Sequence, residues 1–535
     1  MVRILRSTAV IVSVWLAAAA ILLLPDGLYI TGHDGDLIHM LDLVARWAEG
    51  ERPHIDFMTP LGALSIWPFA AFVEAGYGPG TAFRLSQSAV TLALLPAILW
   101  TVWSRLEGTL ATVVGVGLVL LSMALVFGGT VPSISISMYY NRWAWALAAL
   151  IVLLIFLPAR PGWRAPLLDG VLIGMAGAVL VLLKVTYAVA LLPFALVAVL
   201  HDRAWAMLAG TLIGALSALA VATVTLGGVA FWQAYLGDLI LVSTAPLRPF
   251  PGEDLGMLLG GPSGLPASML LLLIVVFWRK TRRAREGMLL LFLAPGWVYI
   301  TFQNWGNDPK WLALLAVLLV AVPAPERARP FFGQPAARAG GILAVVSLVL
   351  IAPSMSNIAM SGSRHLLLDK DGFAPIFDDI ARSDILVMVD THRRPSTQGR
   401  LAEVDFGPPP DMSPEPVVFL GEELGSCQTV MGLVGWLRKA TDQLGAIEEA
   451  VGRSVLSADL LDAMWLFGPF ERIPGQGPWY YGSDRGFDAA DYVLVPLCPM
   501  SGRARRIKLA LIEEAGWEMR EVVRTDLFIL AERVR

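Results

Sequence analysis

The sequence is short of charge. Only 16% of its 535 residues are Asp, Glu, Lys or Arg, against about 25% in a soluble globular protein. Hydrophobic residues make up 56% and mean hydropathy is +0.65, so the chain is a membrane protein rather than a soluble one. The charge that is present nearly cancels, to a net −4, and no Lys/Arg tract interleaved with aromatics occurs, which removes nucleic acid as a partner. Phosphate-loop chemistry is missing too: there is no GxxxxGK[ST], and the lone GVG at 115–117 sits inside an apolar run, so a nucleotide-driven pump is disfavoured. No Gly-x-Ser-x-Gly elbow and no Cys/His metal spacing appears. Cysteine is limited to Cys427 and Cys498.

Long apolar runs dominate the first 355 positions. Candidate spans lie near residues 9–28, 60–78, 86–103, 109–127, 143–157, 166–183, 187–200, 205–226, 258–278, 286–302, 311–323 and 339–354, each near the length that crosses roughly 30 Å of hydrocarbon. The expected fold is therefore an all-α polytopic membrane domain of about 11–13 helices. The N-terminus carries Arg3 and Arg6 before an apolar run longer than a signal peptide's core, and reads as a retained first helix. Basic loops stay cytoplasmic, and "WRKTRRAR" at 278–285 is the strongest such anchor. Simple alternation of all these spans conflicts with that rule at Arg160 and Arg164, so one segment, most plainly the Pro- and Gly-rich 60–80 region, is expected not to cross.

After about residue 365 the composition becomes that of a soluble domain. "DILVMVD", "PVVFL", "DYVLVPL" and "DLFILAERV" read as short strands, while "LRKATDQLGAIEEAVG" and "RARRIKLALIEEAG" read as amphipathic helices. The expected division is a polytopic domain over 1–355, with a first outer loop at 29–60, and a small extracytoplasmic α/β domain over 365–535. "GPPPDMSPEP" at 407–416 reads as a loop. Outside the membrane an oxidising compartment permits a Cys427–Cys498 disulfide, two separate buried thiols being the alternative.

The densest ionisable stretch is "YITGHDGDLIHMLDLVARWAEGERPHIDF", residues 29–57, with three histidines and four aspartates. "HDGD" lies at the mouth of the first helix, and "LIHMLDLVARWAEG" has the spacing of a helix lying along the membrane surface. "ERPHIDFMTPLGAL" then enters the next apolar run.

This pattern resembles the GT-C superfamily of polytopic glycosyltransferases, which take sugars from polyprenyl-phosphate lipids and include protein-mannosyltransferase- and aminoarabinose-transferase-like members. The family places one or two acids at the start of its first outer loop, then a juxtamembrane helix ending in Gly, then a Pro-containing entry to the next helix. Asp34 and Asp36, Gly50, and the entry with Asp56, Pro60 and Gly62 stand in those places, and "AFRLSQ" at 82–87 puts Arg84 in the family's Ala-Arg-Leu segment. The two acids are separated by Gly35 where the commonest form has them adjacent. The resemblance implies an inverting single displacement from a lipid-linked donor to a glycan, lipid or protein acceptor at the outer face of a bacterial inner membrane.

Chemistry independently gives the loop a purpose. Glycosyl transfer needs a carboxylate to accept the acceptor's proton and cations beside the leaving phosphate. Asp36, with Asp34 as its rival, is the candidate base, although helix capping explains either residue without catalysis. His33, Asp34, Asp36 and His39 also form a candidate set for a divalent cation; no cofactor is demanded.

Ionisable residues within the membrane are costly. Lys184, at the outer end of two adjoining helices, Arg142 beside Tyr139, Tyr140, Trp143 and Trp145, and Arg84 are candidates for the donor phosphate; snorkelling or anchoring explains the first two without it. "QNWGNDPKW" offers Asn304, Trp305, Asn307, Asp308 and Lys310 as sugar-binding groups, to which His54 and Asp56 are added, while "GPWYYGSDRG" offers Trp479, Tyr480, Tyr481, Asp484 and Arg485 toward an acceptor glycan. Plain turn chemistry accounts for both segments otherwise. The rival readings are a flippase for lipid-linked glycans, which would place paired charges mid-bilayer between repeated halves, and a non-catalytic envelope assembly protein.

Overall fold

The computed structural model describes residues 2–245, 247, 264–303, 307–388, 417–425, 427, 429 and 432–534. The chain is an integral membrane protein. Six helices among the described residues are long and apolar enough to span a bilayer: α1 (Val2–Leu23), α4 (Pro79–Arg105), α6 (Tyr139–Phe156), α7 (Pro166–Asp202), α8 (Trp205–Thr225) and α13 (Ala336–Leu366). Between them lie α2 (Asp34–Ala48), α3 (Trp67–Glu74), α5 (Gly108–Met123), α9 (Val229–Thr244), α10 (Gly264–Lys280), α11 (Ala284–Gln303) and α12 (Trp311–Ala321).

Helix ends sort onto two faces. On the first, Arg105 bonds Asp169 at 2.6 Å, Arg285 reaches Asp202 at 2.5 Å and the Phe156 carbonyl at 2.9 Å, Arg283 reaches the Pro323 carbonyl at 2.7 Å, and Thr112 meets Ser7 at 2.8 Å. The opposite face carries β1 (Leu28–Ile30), α2 and the C-terminal sheets.

Helix α7 makes this arithmetic work. Its 37 residues would extend about 55 Å if straight, too long for one crossing. Lys184 breaks it with an extended backbone, φ −156° and ψ 97°. The first leg packs tightly on α8: a Cβ on Gly170 or Gly174 would overlap the carbonyls of Met207 or Thr211, and one on Gly210 or Gly214 those of Leu167 or Val171. These glycines recur at intervals of four, the spacing that lets membrane helices approach closely. Since α8 starts directly after Asp202 yet lies beside residues 167–174, the second leg must double back, with Lys184 at the turn. The expected spans at 166–183 and 187–200 are its two legs.

The 60–78 region does not cross. Its helix, α3, has 8 residues, about 12 Å, and α4 starts again on the same face, where Asp384 accepts from Gly80 and Thr81 at 2.9 and 2.7 Å. With α3 set aside, α1, α4, α5, α6, both legs of α7, α8, α10, α11, α12 and α13 alternate between faces, and Arg160 and Arg164 fall on the basic one. The charge conflict disappears.

The C-terminal region forms small mixed sheets. β1 from the first loop runs parallel to β3 (Ile385–Met388), with Leu28 opposite Ile385, and β2 (Phe373–Pro375) is antiparallel on β3's other side. A hairpin of β4 (Val417–Phe419) and β5 (Glu422–Leu424) follows. The largest sheet has the order β6 (Val455–Ser457), β7 (Tyr492–Pro496), β9 (Phe528–Arg533), β8 (Met519–Arg524), with β6 parallel to β7. Its strands β6, β7 and β9 are buried on both faces, while the edge strand β8 is largely exposed. Val493, Val495, Ile529 and Ala531 pack with Leu509 and Ile512 of α15 (Gly502–Glu514). Leu494, Phe528 and Leu530 join Leu437 and Leu444 of α14 (Leu433–Gly445) in a core continuous with the membrane helices.

All four strands expected from sequence, and both helices, are present, but α14 starts at Leu433 rather than 437 and stops at Gly445 rather than 452. β1, β2, β5, β6 and β8, of three to six residues, were not expected. Cys427 and Cys498 form a disulfide, with Cα atoms 4.9 Å apart. The segment at 407–416, and the first part of the 258–278 span, fall outside the described residues.

Candidate functional site

The first loop is built onto the rest of the chain at both ends. β1 is stitched into the sheet of β3, and Thr31 exchanges two hydrogen bonds with Ile134, its N–H donating to the carbonyl at 3.0 Å and its hydroxyl accepting the Ile134 N–H at 2.8 Å. His33 follows in the left-handed region, φ 67°, and α2 starts at Asp34. Asp36 therefore does not precede the helix as a cap; both aspartates lie in its first turn, where the helix dipole favours negative charge.

Helix α2 does not lie exposed on the membrane surface. Residues 37–44 and Arg46 are buried, because the C-terminal region covers the helix. Asp42 accepts from Arg46 Nε and from Trp465 Nε1, both at 2.6 Å, Arg472 pairs with Glu49 and Glu51, and Trp479 packs over Gly35 and His39.

The two acids have different surroundings. Asp36 accepts from the Ser137 hydroxyl. Burial without a charged partner raises the Asp34 carboxyl to about 6. His33 lies 3.1 Å from the Ser135 hydroxyl through Nδ1, and burial lowers it while Asp36 opposes that shift.

Ser135 and Ser137 belong to the 124–138 connection between α5 and α6, whose other end touches cations. Arg142 donates to the Val126 carbonyl and Lys310 to the Gly128 carbonyl, the latter at 2.6 Å. Arg142 is wholly buried, and its Nε and Nη2 have no hydrogen-bond partner among the described residues; such groups cost free energy unless something completes them. Lys184, at the α7 turn, lies 5.2 Å from the ring centre of Tyr140, which is on α6 beside Arg142. One connection thus touches the acidic turn on one side and buried cations on the other.

Several expected site residues do other work. Arg84 donates to the Gly80, Leu22 and Pro25 carbonyls at 3.1, 3.2 and 2.5 Å and to Thr81 at 3.0 Å; it ties the end of α1 to α4. Asn307 is buried, accepting from Trp145 Nε1 at 3.0 Å and donating to the Ile300 carbonyl at 2.8 Å, so it braces α6 against α11 instead of facing a sugar. Asp308 gives its carbonyl to the Lys310 N–H at 2.7 Å. Asn304 and Trp305 lie outside the described residues. Asp56 is held by Arg52 at 2.8 and 3.3 Å. Among the described residues no three His, Cys, Asp or Glu side chains converge as a metal site, so His33, Asp34, Asp36 and His39 are not gathered as ligands.

His54 is fully buried, with φ 70°. Its Nδ1 donates to Asp238 at 2.8 Å, and Asp238 also accepts from the Thr59 N–H at 3.2 Å and from Arg485 at 3.0 Å. Asp238, in "AYLGDLIL", was not singled out from the sequence; an acid within an apolar run was the signal available.

No family model and no curated protein sequence matches the chain. Two solved structures of ArnT from Cupriavidus metallidurans are similar to it. The one bound to undecaprenyl phosphate is 12% identical, with a TM-score of 0.37, and the apo one 11% identical, with a TM-score of 0.39; each comparison covers 98% of this chain and 97% of the other.

Proposed function

We propose that the chain is an integral membrane glycosyltransferase of GT-C type. It moves a sugar from a polyprenyl-phosphate donor to an acceptor at the face that carries the first loop. The observation that supports this reading is the 124–138 connection, which bonds Asp36 through Ser137 and Arg142 through the Val126 carbonyl and is folded on itself by the Ser135 N–H donating to the Leu125 carbonyl at 2.9 Å.

Asp34 is the better base. Its carboxyl is raised toward neutrality, where a base couples proton affinity with an ionised population, whereas Asp36 already accepts the Ser137 hydroxyl. Asp34 takes the acceptor hydroxyl's proton as that oxygen bonds the anomeric carbon. The bond from that carbon to the phosphate oxygen breaks, and polyprenyl phosphate leaves with its negative charge. Arg142 and Lys184 offset that charge, which grows in the transition state. Attack opposite the leaving phosphate inverts the anomeric centre. Arg84 is not part of this site, since its donors are taken by backbone.

The first loop and the region after residue 365 are assigned outside the cytoplasm. Arg105, Arg160, Arg203, Arg283 and Arg285 gather at the other face, as basic residues do at the cytoplasmic side, and a disulfide in the C-terminal region suits an oxidising compartment. That region, from about 365 to the end, is proposed as an extracytoplasmic domain resting on the 1–355 membrane domain.

The test is the surface-glycan mass profile of a deletion strain complemented with wild type, Asp34→Asn or Asp36→Asn, at matched membrane abundance. Asp34→Asn should lose a sugar that wild type restores. Wild-type profiles from both variants would end the transferase reading.

A further inference from the structure

A shallow surface depression lies where the C-terminal region meets the first loop, lined by Met58, Leu241, Trp479, Tyr481, Ser483 and Arg485 among others. Its floor is firmly held. Gly477 lies so close to the Met58 carbonyl that a Cβ there would overlap it, the Gly475 N–H donates to the Asp56 carbonyl at 2.9 Å, and Arg485 reaches the His54 and Ile55 carbonyls at 3.0 and 3.2 Å.

Trp479 also borders the acidic turn. A Cβ added at Gly35 would sit 3.4 Å from its Cζ3, and Gly35 is the residue between Asp34 and Asp36. One indole therefore lines the depression and packs on the turn that carries both acids. An aromatic face receives the C–H side of a sugar ring, while the Ser483 hydroxyl bonds one of its hydroxyls and Arg485, spent on Asp238 and the His54 and Ile55 carbonyls, holds the floor.

We infer that this depression is the acceptor subsite and that the acceptor presents a saccharide ring to it, stacked on Trp479 with a hydroxyl directed to the Asp34 turn. The inference rests on the transferase reading above. It narrows the acceptor to a glycan or the sugar headgroup of a glycolipid.

The experiment places a benzophenone-bearing amino acid at position 479 or 481 of the full-length protein, in cells and with Asp34→Asn so that acceptor is not consumed, and reads the mass attached after irradiation. Saccharide-bearing adducts are expected at both positions and not at exposed Val418. Peptide adducts, lipid adducts without sugar, or no adduct at wild-type abundance overturn the subsite. In a kinetic companion, Trp479→Ala should raise the apparent KM about tenfold and hold kcat within about twofold, with Trp479→Phe restoring most of it; the acceptor is supplied as membrane extract from the deletion strain. An unchanged KM in Trp479→Ala, with activity lost in Asp34→Asn, refutes the subsite and leaves the transferase standing. Saccharide adducts together with full transfer by Asp34→Asn and Asp36→Asn do the reverse.

Discussion

Arg485 donates to Asp238 across 3.0 Å although 247 residues separate them in the chain. Their contact fastens the C-terminal region to a membrane-associated helix, with His54 of the first loop on the same carboxylate. Asp238→Ala strands His54 Nδ1 and the Thr59 N–H in a buried site and should cost about 3 kcal/mol. Arg485→Ala should cost less, because that side chain is 35% exposed and water screens it. Thermal melting in detergent checks both, and the double variant should fall short of the sum of the singles.

The pH profile should report Asp34. Its folded carboxyl is raised to about 6 from about 3.9 in an unfolded chain. The penalty of ionising it in the fold is absent below pH about 4, grows as pH rises to about 6, and is constant above. Asp34→Asn should therefore raise the melting temperature at pH 7.5 and leave it unchanged at pH 4. Because the base must be ionised, wild-type transfer should rise through pH about 6; a flat rate between pH 5 and 7 would remove Asp34 from that role.

The Cys427–Cys498 disulfide closes a separation of 71 residues, and a loop of that size stabilises by about 4 kcal/mol on chain-entropy grounds. Cys427→Ser should make the C-terminal region more sensitive to limited proteolysis, and reductant should do the same to wild type but not to the variant. Maleimide should not label the wild-type cysteines in intact cells without reduction. Labelling there would place them in a reducing compartment and reverse the proposed orientation.

Gly62 tests the α7 turn. A Cβ on it would overlap the backbone carbonyl of Leu182, two residues before Lys184, so Gly62→Ala should cost about 1 to 3 kcal/mol through overpacking. Gly341, in α13, has open space around its Cβ direction, and Gly341→Ala should stabilise by about 1 kcal/mol through helix propensity. Equal melting temperatures for the two variants would mean that the turn is not packed as described.

Tyr235 offers a gentler probe of the same turn. Its hydroxyl donates to the Val181 carbonyl at 2.7 Å, three residues before the break at Lys184. Tyr235→Phe should lower stability by about 1 to 3 kcal/mol while leaving transfer intact, and the melting curve and glycan profile together check that.

The sequence by itself determined that the chain spans a membrane, that most apolar runs cross it, and that the acids of the first loop sit at the face opposite the basic loops. Those conclusions rest on local quantities: run length, apolar content and the placement of Lys and Arg, all of which a bilayer reads residue by residue. It also set out two of the four strands of the larger sheet, β7 and β9, because alternating Val, Ile and Leu in "DYVLVPL" and "DLFILAERV" must bury two faces. The sequence also pointed to 60–80 as the run that does not cross and to a turn near Lys184, but only the tertiary structure decided that Arg84 and Asn307 spend their donors inside the protein. It alone joined His54 to Asp238 and Trp479 to Gly35, since those partners are hundreds of residues apart. Which groups remain for a ligand depends on which hydrogen bonds the fold has already satisfied, and that selection is made by packing between distant elements.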